Sequence, residues 1–279
     1  MKFIRLLLLT LKVIGSYLLI FAMIFTMQPF LGKWSNHLSM VLCVVIMYGV
    51  WERANKWPLG LKDRRWFVKS SQGFALGAAM ILICFIAVWL LGGVTITNFQ
   101  VPHGGAWLDL GAVIVFWLVV AIGEEFFFRG YLQGLIKQST GPKLSLIIQA
   151  VLFSLIHLFN PGATSHIIPL LDVLFSAFLL GWLREWTESI WLSVGFHWSW
   201  NFIQGNILGY PVSGGEVTYS FLRTSVSGPA WLSGDHFGLE GSIVSLICTT
   251  LVLCWIYLKT SRTSKISKSD ASSTLNDIV

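Results

Sequence analysis

Long apolar runs recur from one end of this chain to the other, and they constrain its fold more than any other feature. A helix needs about 20 mostly apolar residues to cross a bilayer. Of the 279 residues, 55% are hydrophobic and only 11% are charged, which is typical of a multi-pass membrane protein and excludes an ordinary soluble domain. We therefore predict an all-α fold with one transmembrane domain over residues 1–258.

Turn signals between the runs divide this domain into about eight transmembrane helices. Gly141-Pro142 and Asn160-Pro161-Gly162 are two such breaks. The remaining tail, residues 259–279, is rich in Ser, Thr and Lys and is predicted to be disordered. The predicted helices cover residues 1–27, 38–51, 73–91, 108–137, 144–158, 167–183, 189–207 and 242–258, separated by a polar loop over 95–107, a charged turn over 184–188 and a long Gly- and Ser-rich loop over 208–240.

The basic residues predict the orientation in the membrane. With the amino terminus inside, an even number of helices places both termini, and so the tail, in the cytoplasm. All but two of the 19 Lys and Arg residues then fall on the cytoplasmic side, the exceptions being Lys33 and Arg223. Because the basic residues lie mostly at the ends of apolar segments, the net charge of +6 indicates a lipid bilayer as partner and argues against nucleic acid.

Two adjacent carboxylates and an arginine interrupt the fourth apolar run. Ionisable side chains are costly in lipid, and they indicate a functional site by default. On a helix, Glu125 and Arg129 are i,i+4 neighbours that can pair, whereas Glu124 points about 100° away from Glu125. The sequence therefore predicts one carboxylate that is neutralised locally and another, Glu124, that has no obvious partner.

Three further polar side chains, His157, His197 and Asn201, fall at helix depth. A lone membrane histidine often does no more than hydrogen-bond a neighbouring helix. These side chains and Glu124 occupy three separate helices, so they can satisfy one another only around a shared polar cavity. His197 and Asn201 are also i,i+4 neighbours on one helix face.

The motifs Glu124-Glu125-x-x-x-Arg129, Phe153-x-x-x-His157 and His197-x-x-x-Asn201 resemble the three motifs of the CPBP intramembrane proteases. That family includes the CAAX prenyl endopeptidases and the bacterial Abi-type proteins. The resemblance implies a catalytic core over about residues 108–207, and residues 238–241 also look similar. It implies a multi-pass protease of the bacterial cytoplasmic membrane that acts on a membrane peptide or protein substrate.

The resemblance also implies a role for each motif residue. Glu124 and His157 would activate a water molecule, and His197 and Asn201 would hold the developing oxyanion. Glu125, Arg129 and Phe153 would support the site and hold these groups in place. General chemistry agrees, since a carboxylate in an apolar cavity can act as a general base, and amide and imidazole donors suit a tetrahedral intermediate.

Three alternatives stay open at this stage. No cofactor is favoured, because Asn is a poor zinc ligand, but Glu124, His157 and His197 could form a zinc site with an open position. A transporter could use the same groups as a relay, although no inverted repeat is visible. A non-enzymatic membrane immunity or scaffold protein could keep the fold and act by binding.

Other polar residues are predicted to be structural. Asp172 is a borderline case that lines the cavity or caps a helix. The remainder are loop histidines and helix-end charges, namely His37, His103, His166 and His236 in loops, and Glu185 and Glu188 at helix ends.

Overall fold

The computed structural model describes the backbone of residues 2–101, 104 and 106–276, and the side chains of residues 3–101, 104 and 107–259. Within these ranges the chain forms ten α-helices and one two-stranded sheet. The helices are α1 (Lys2–Leu31), α2 (Trp34–Ile46), α3 (Trp66–Leu90), α4 (Ala106–Glu125), α5 (Gln133–Thr140), α6 (Pro142–Ile156), α7 (Ile168–Thr187), α8 (Trp191–Phe202), α9 (Ala230–Ser233) and α10 (Ile243–Asn276), and the strands are β1 (Val94–Phe99) and β2 (Leu222–Val226).

Several helices are extended by turns of different hydrogen-bonding pattern. The π-helical segment Phe126–Leu132 joins α4 to α5 without a break, and a 3₁₀ turn, His157–Phe159, ends α6. Two more π-helical segments, Met47–Trp51 and Ile203–Ile207, follow α2 and α8. Each predicted apolar segment is therefore helical, and most ends differ from the predicted ones by a few residues. The exceptions are α3, which begins seven residues earlier than predicted, and α10, which continues 18 residues further.

In the described part of the chain, five helical stretches are long and apolar enough to cross a membrane. They support a multi-pass membrane protein. The predicted number of eight spans and the predicted orientation stay predictions, as does the disordered tail. The five stretches are Phe3–Leu31, Trp34–Trp51, Trp66–Leu90, Trp107–Thr140 and Pro142–Phe159.

A two-stranded antiparallel sheet corrects the prediction that residues 95–107 and 208–240 are entirely loop. Val94 pairs with Val226 and Phe99 with Leu222, with an irregularity between Ile96 and Asn98. The strand Val94–Phe99 contains β-branched and aromatic residues, which favour strands. Its partner strand β2 lies more than 120 residues away in the sequence, and no local sequence pattern predicts such a distant pairing.

Glycines allow α3 and α8 to approach each other closely. Gly73 and Gly77 lie one turn apart on α3, in a small-xxx-small pattern that favours close helix contact in membranes. A Cβ at Gly73 would lie 2.0 Å from the Leu192 carbonyl oxygen, and one at Gly195 would lie 2.0 Å from the Ser70 carbonyl oxygen. This packing fixes the position of α8, which carries His197 and Asn201.

Different contacts fasten the two ends of the helical bundle. At one end, here called the basic end, Arg184 donates a 2.7 Å hydrogen bond to the Pro58 carbonyl, and Lys69 donates a 2.9 Å bond to the Thr187 carbonyl. The opposite end, here called the sheet end, carries β1 and β2. The charged turn predicted at 184–188 is instead mostly the end of α7, and the chain reverses at Glu188, whose φ is 54°.

Candidate active site

The two glutamates lie where α4 passes into π-helical hydrogen bonding. Glu125 is the last residue of α4, and Phe126–Leu132 follows directly. Short π-helical segments are frequent at functional sites. The Trp57 indole N–H donates a 3.1 Å hydrogen bond to the Gly130 carbonyl within this segment. The indole thus supplies a buried partner for a backbone group next to the site.

Glu125 is the centre of a buried charge network. Its Oε1 atom accepts a 2.9 Å bond from Arg129 Nη1 and a 3.0 Å bond from His197 Nδ1. Glu125 is 0% exposed and Arg129 is 1% exposed. The predicted Glu125–Arg129 pair is therefore present, and it also orients the His197 ring, which the sequence did not indicate.

Glu124 lies between two imidazole rings. Its Oε2 atom is 3.8 Å from His197 Nε2, and its Oε1 atom is 3.6 Å from His37 Nδ1. The carboxylate thus makes ion-pair contacts that are longer than direct hydrogen bonds. The expectation that Glu124 has no obvious partner is corrected by these two neighbours.

The placement of His37 in a loop is wrong. His37 lies in the first turns of α2, which begins at Trp34, and its side chain is 14% exposed. A Cβ at Gly123 would lie 2.7 Å from the His37 carbonyl oxygen, so α2 and α4 approach closely beside the glutamates. Ser35 and Asn36 are polar, so the apolar run alone does not predict that the helix begins before them.

His157 lies at the end of α6, in the 3₁₀ turn. Its Nδ1 atom is 2.8 Å from the Phe153 carbonyl oxygen. Because a carbonyl only accepts, Nδ1 is the donor, and Nε2 of the neutral ring is left with its lone pair. The Phe153 ring lies against the imidazole at 4.6 Å, and the Arg129 guanidinium lies 4.4 Å from the centre of the same ring.

The position of α8 relative to α4 is fixed by two indole groups. Trp198 donates a 3.1 Å hydrogen bond to the Ile114 carbonyl, and Trp117 donates a 2.6 Å bond to Asn206 Oδ1. Asn201 lies between Trp198 and Asn206 on α8 and its extension, and it is 6% exposed. Among the described residues, the Asn201 amide has no hydrogen-bond partner, so its donors are available to a ligand.

One cavity of about 990 Å³ brings the candidate side chains together. Its lining includes Glu124, His157, His197, Asn201 and the unexpected His37. A smaller cavity of about 60 Å³ adjoins His157, His197 and Asn201. A shared polar cavity was the expectation for these groups, and the structure supplies a chamber large enough for a peptide segment.

Glu240 is a further buried group beside the site. The smaller cavity reaches Glu240 and Ser213, and Glu240 accepts bonds of 3.2–3.3 Å from the Ser213 hydroxyl and backbone N–H. Gln204 donates a 2.6 Å hydrogen bond to the Glu240 carboxyl. Burial raises the pKa of this carboxyl above its usual range. The similarity noted at residues 238–241 was the only sequence signal for this residue.

The remaining predicted polar residues lie away from the large cavity. Asp172 is fully buried inside α7 and accepts a 2.6 Å bond from the Ser245 hydroxyl, so it joins α7 to α10 and does not cap a helix. Glu185 pairs with Lys137 at 2.5 Å near the end of α7. His236 is exposed, and His103 lies outside the described residues.

Residues 106–203 match the family model described as "Type II CAAX prenyl endopeptidase Rce1-like". The match confirms the resemblance to the CPBP proteases. The Rce1-like segment contains all three motifs and runs from the start of α4 to the end of α8. The family implies a protease, and the apolar helices support a multi-pass membrane protein. No curated protein matches the chain.

A zinc site would need several His, Cys, Asp or Glu side chains grouped around one point. Among the described residues, no group of three or more His, Cys, Asp or Glu side chains is placed to hold a metal ion. The zinc alternative, which would use Glu124, His157 and His197, stays a hypothesis that a chelation experiment tests.

Proposed function

We propose that this protein is an intramembrane endopeptidase that hydrolyses a peptide bond of a membrane peptide or protein. The observation that carries the proposal is the convergence of Glu124, His157, His197 and Asn201 on one cavity. The match of residues 106–203 to the Rce1-like proteases supports the same reaction class. No cofactor enters this proposal.

Glu124 is the proposed general base. Its carboxylate faces the cavity, and unlike Glu125 it is not held by a direct arginine contact. A water molecule between Glu124 and His157 would give its proton to the carboxylate while its oxygen attacks the scissile carbonyl carbon. The lone pair on His157 Nε2 would accept the other water hydrogen and so orient the nucleophile. The proton held by Glu124 would then pass to the leaving amine.

Asn201 and His197 are the proposed oxyanion donors. The free amide of Asn201 can donate to the carbonyl oxygen as it becomes negative. His197 has already committed Nδ1–H to Glu125, so it can donate from Nε2 only when both ring nitrogens carry a proton. The charges of Glu124, Glu125, Arg129 and a protonated His197 would then sum to zero, which suits a cluster in an apolar surrounding.

The proposal is tested by comparing membranes from cells that produce the wild-type protein with membranes from cells that produce Glu124→Gln. Mass spectrometry would search both for new carboxyl termini in membrane proteins and peptides. We expect such termini with the wild type only, and identical termini in both samples would overturn the proposal. A cleaved peptide found in this way then serves as substrate for the purified enzyme. Full activity after thorough chelation is expected, whereas loss that zinc alone restores would favour the metalloprotease alternative.

A further inference from the structure

We infer that the cavity receives its substrate from the non-cytoplasmic face of the membrane, so that the substrates are membrane peptides cut near their non-cytoplasmic end. That the peptides entering the cavity are substrates rests on the proposed function. The direction in which the cavity opens rests on the fold and the charge distribution alone.

The cavity lies in the half of the bundle next to the sheet end. Lys33 and Asn36, from the turn between α1 and α2 and from the start of α2, contribute to its lining. The loop that follows α8 contributes Val212 to Thr218, and Asn160 in the α6–α7 connection donates a 2.9 Å hydrogen bond to the Ser213 carbonyl in this loop. Apart from the buried Val212, these are exposed or half-buried connections at a single end of the helices, and they form the mouth of the cavity.

The reacting groups lie close to this mouth. His37 is in the first turns of α2, and His157 directly follows the last residue of α6. Along the continuous helix from Ala106 to Thr140, Glu124 lies about 27 Å from the first residue and about 24 Å from the last at 1.5 Å per residue, so this helix extends far beyond the site on both sides. The site is near the mouth because α2 begins and α6 ends beside it, and no residue of the loop over 52–65 at the basic end, which the structure describes in full, lines the cavity.

The charge distribution assigns these two ends to the two faces of the membrane. The basic end carries the loop with Arg53, Lys56, Lys62, Arg64 and Arg65, together with the Lys12–Glu52 pair at 2.6 Å. At the sheet end, the Lys and Arg side chains that the structure describes are Lys33 and Arg223. Because short loops rich in Lys and Arg stay in the cytoplasm, the basic end is cytoplasmic and the mouth opens on the other side.

The walls of the cavity indicate the kind of peptide that fits. Ile20, Phe21 and Ile24 on α1 face the cavity, and so do Leu155 and Phe159 at the end of α6. Phe21 is 65% exposed and Phe159 is 90% exposed, so apolar cavity walls continue onto the outer surface of the helices. An apolar peptide segment can lie along these walls while its scissile bond reaches Glu124 from the non-cytoplasmic half of the bilayer.

Two matched cysteine variants test the direction of the cavity mouth. Thr218→Cys is at the mouth and Asn55→Cys is at the basic end, and both positions are exposed. A membrane-impermeant maleimide is added to intact cells and then to permeabilised cells. We expect Thr218→Cys to react in intact cells and Asn55→Cys to react only after permeabilisation. Reaction of Asn55→Cys in intact cells, or of Thr218→Cys only after permeabilisation, overturns the inference.

The cleavage positions supply a second readout that separates the inference from the proposed function. The cleavage sites that depend on Glu124 should cluster near the non-cytoplasmic ends of the substrates' apolar segments. Sites near the cytoplasmic ends would overturn the inference and leave the protease activity in place. If no such sites are found, the proposed function fails, while the labelling result still decides which face the cavity opens to.

Discussion

Replacing Glu125 by Gln tests how the buried charges support the site. Gln keeps the shape of the side chain but removes the charge that faces Arg129 at 2.9 Å. Arg129, which is 1% exposed, would then be a buried cation without its counter-charge. Removing one partner of a buried ion pair costs about 3–5 kcal/mol. For a chain of this size, that corresponds to a fall in Tm on the order of 10 °C.

The matched control is Glu124→Gln. The ion-pair contacts of Glu124 are no shorter than 3.6 Å, so its neutralisation removes no direct ion pair. We expect its Tm to stay within about 2 °C of the wild type. Thermal unfolding of both variants in the same detergent makes the comparison. If Glu125→Gln unfolds at the same temperature as Glu124→Gln, the argument from the buried pair is refuted.

Both variants should lose activity, for different reasons. Glu124→Gln removes the proposed base and leaves no group to take the proton from water. The sequence alone assigned only stability to Glu125, but its 3.0 Å contact with His197 Nδ1 adds a catalytic consequence. Glu125→Gln weakens the contact that orients the His197 ring, so turnover should fall even at temperatures where the variant is fully folded.

Three further substitutions test other parts of the arrangement. Asn201→Ala should lower kcat by about 10²–10³-fold with little change in KM, because its donors act mainly on the oxyanion, and Asn201→Asp should be at least as harmful. His37→Ala should lower kcat by a smaller factor than Asn201→Ala, with KM little changed, because it removes one of the two imidazoles beside Glu124. Gly77→Ala should destabilise the protein by about 1–3 kcal/mol, since its Cβ would lie 2.3 Å from the Ser199 hydroxyl.

Matched controls make these three results specific. Gly15→Ala on α1 places a Cβ with no described atom within 4 Å, and its Tm should not fall. His236→Ala changes an exposed histidine and should leave kcat unchanged. Unchanged kcat in folded Asn201→Ala or His37→Ala would remove that residue from the mechanism. A Tm for Gly77→Ala equal to that of Gly15→Ala would contradict the close packing of α3 on α8.

The sequence predicts the helices well because each apolar run is a local property of the chain. The Glu125–Arg129 pair is also local, since the two residues are one helical turn apart. The cavity that Glu124 shares with His157 and His197 is predicted from the free-energy cost of placing polar side chains in lipid, and from the resemblance to a family. Local geometry could not have supplied the 3.0 Å contact between Glu125 and His197, which depends on how α4 and α8 pack.

The features that the sequence missed depend on contacts between distant segments. β1 and β2 pair across more than 120 residues, and neither strand is long or apolar enough to stand out. His37 belongs to a helix whose first turn is polar, so the apolar run placed the start of α2 too late. Glu240 gains its partners Gln204 and Ser213 only after the loop that follows α8 folds back.

The two tasks of Glu125 can be separated with a double variant. Glu125→Gln combined with Arg129→Gln removes both members of the buried ion pair and leaves no uncompensated charge there. The large penalty of Glu125→Gln comes from the uncompensated buried cation, so the Tm should recover most of the loss seen in Glu125→Gln alone. Turnover should not recover, because the carboxylate that accepts from His197 Nδ1 is still absent. Recovery of turnover together with Tm would mean that Glu125 acts only by balancing Arg129, and the proposed orientation of His197 would then be wrong.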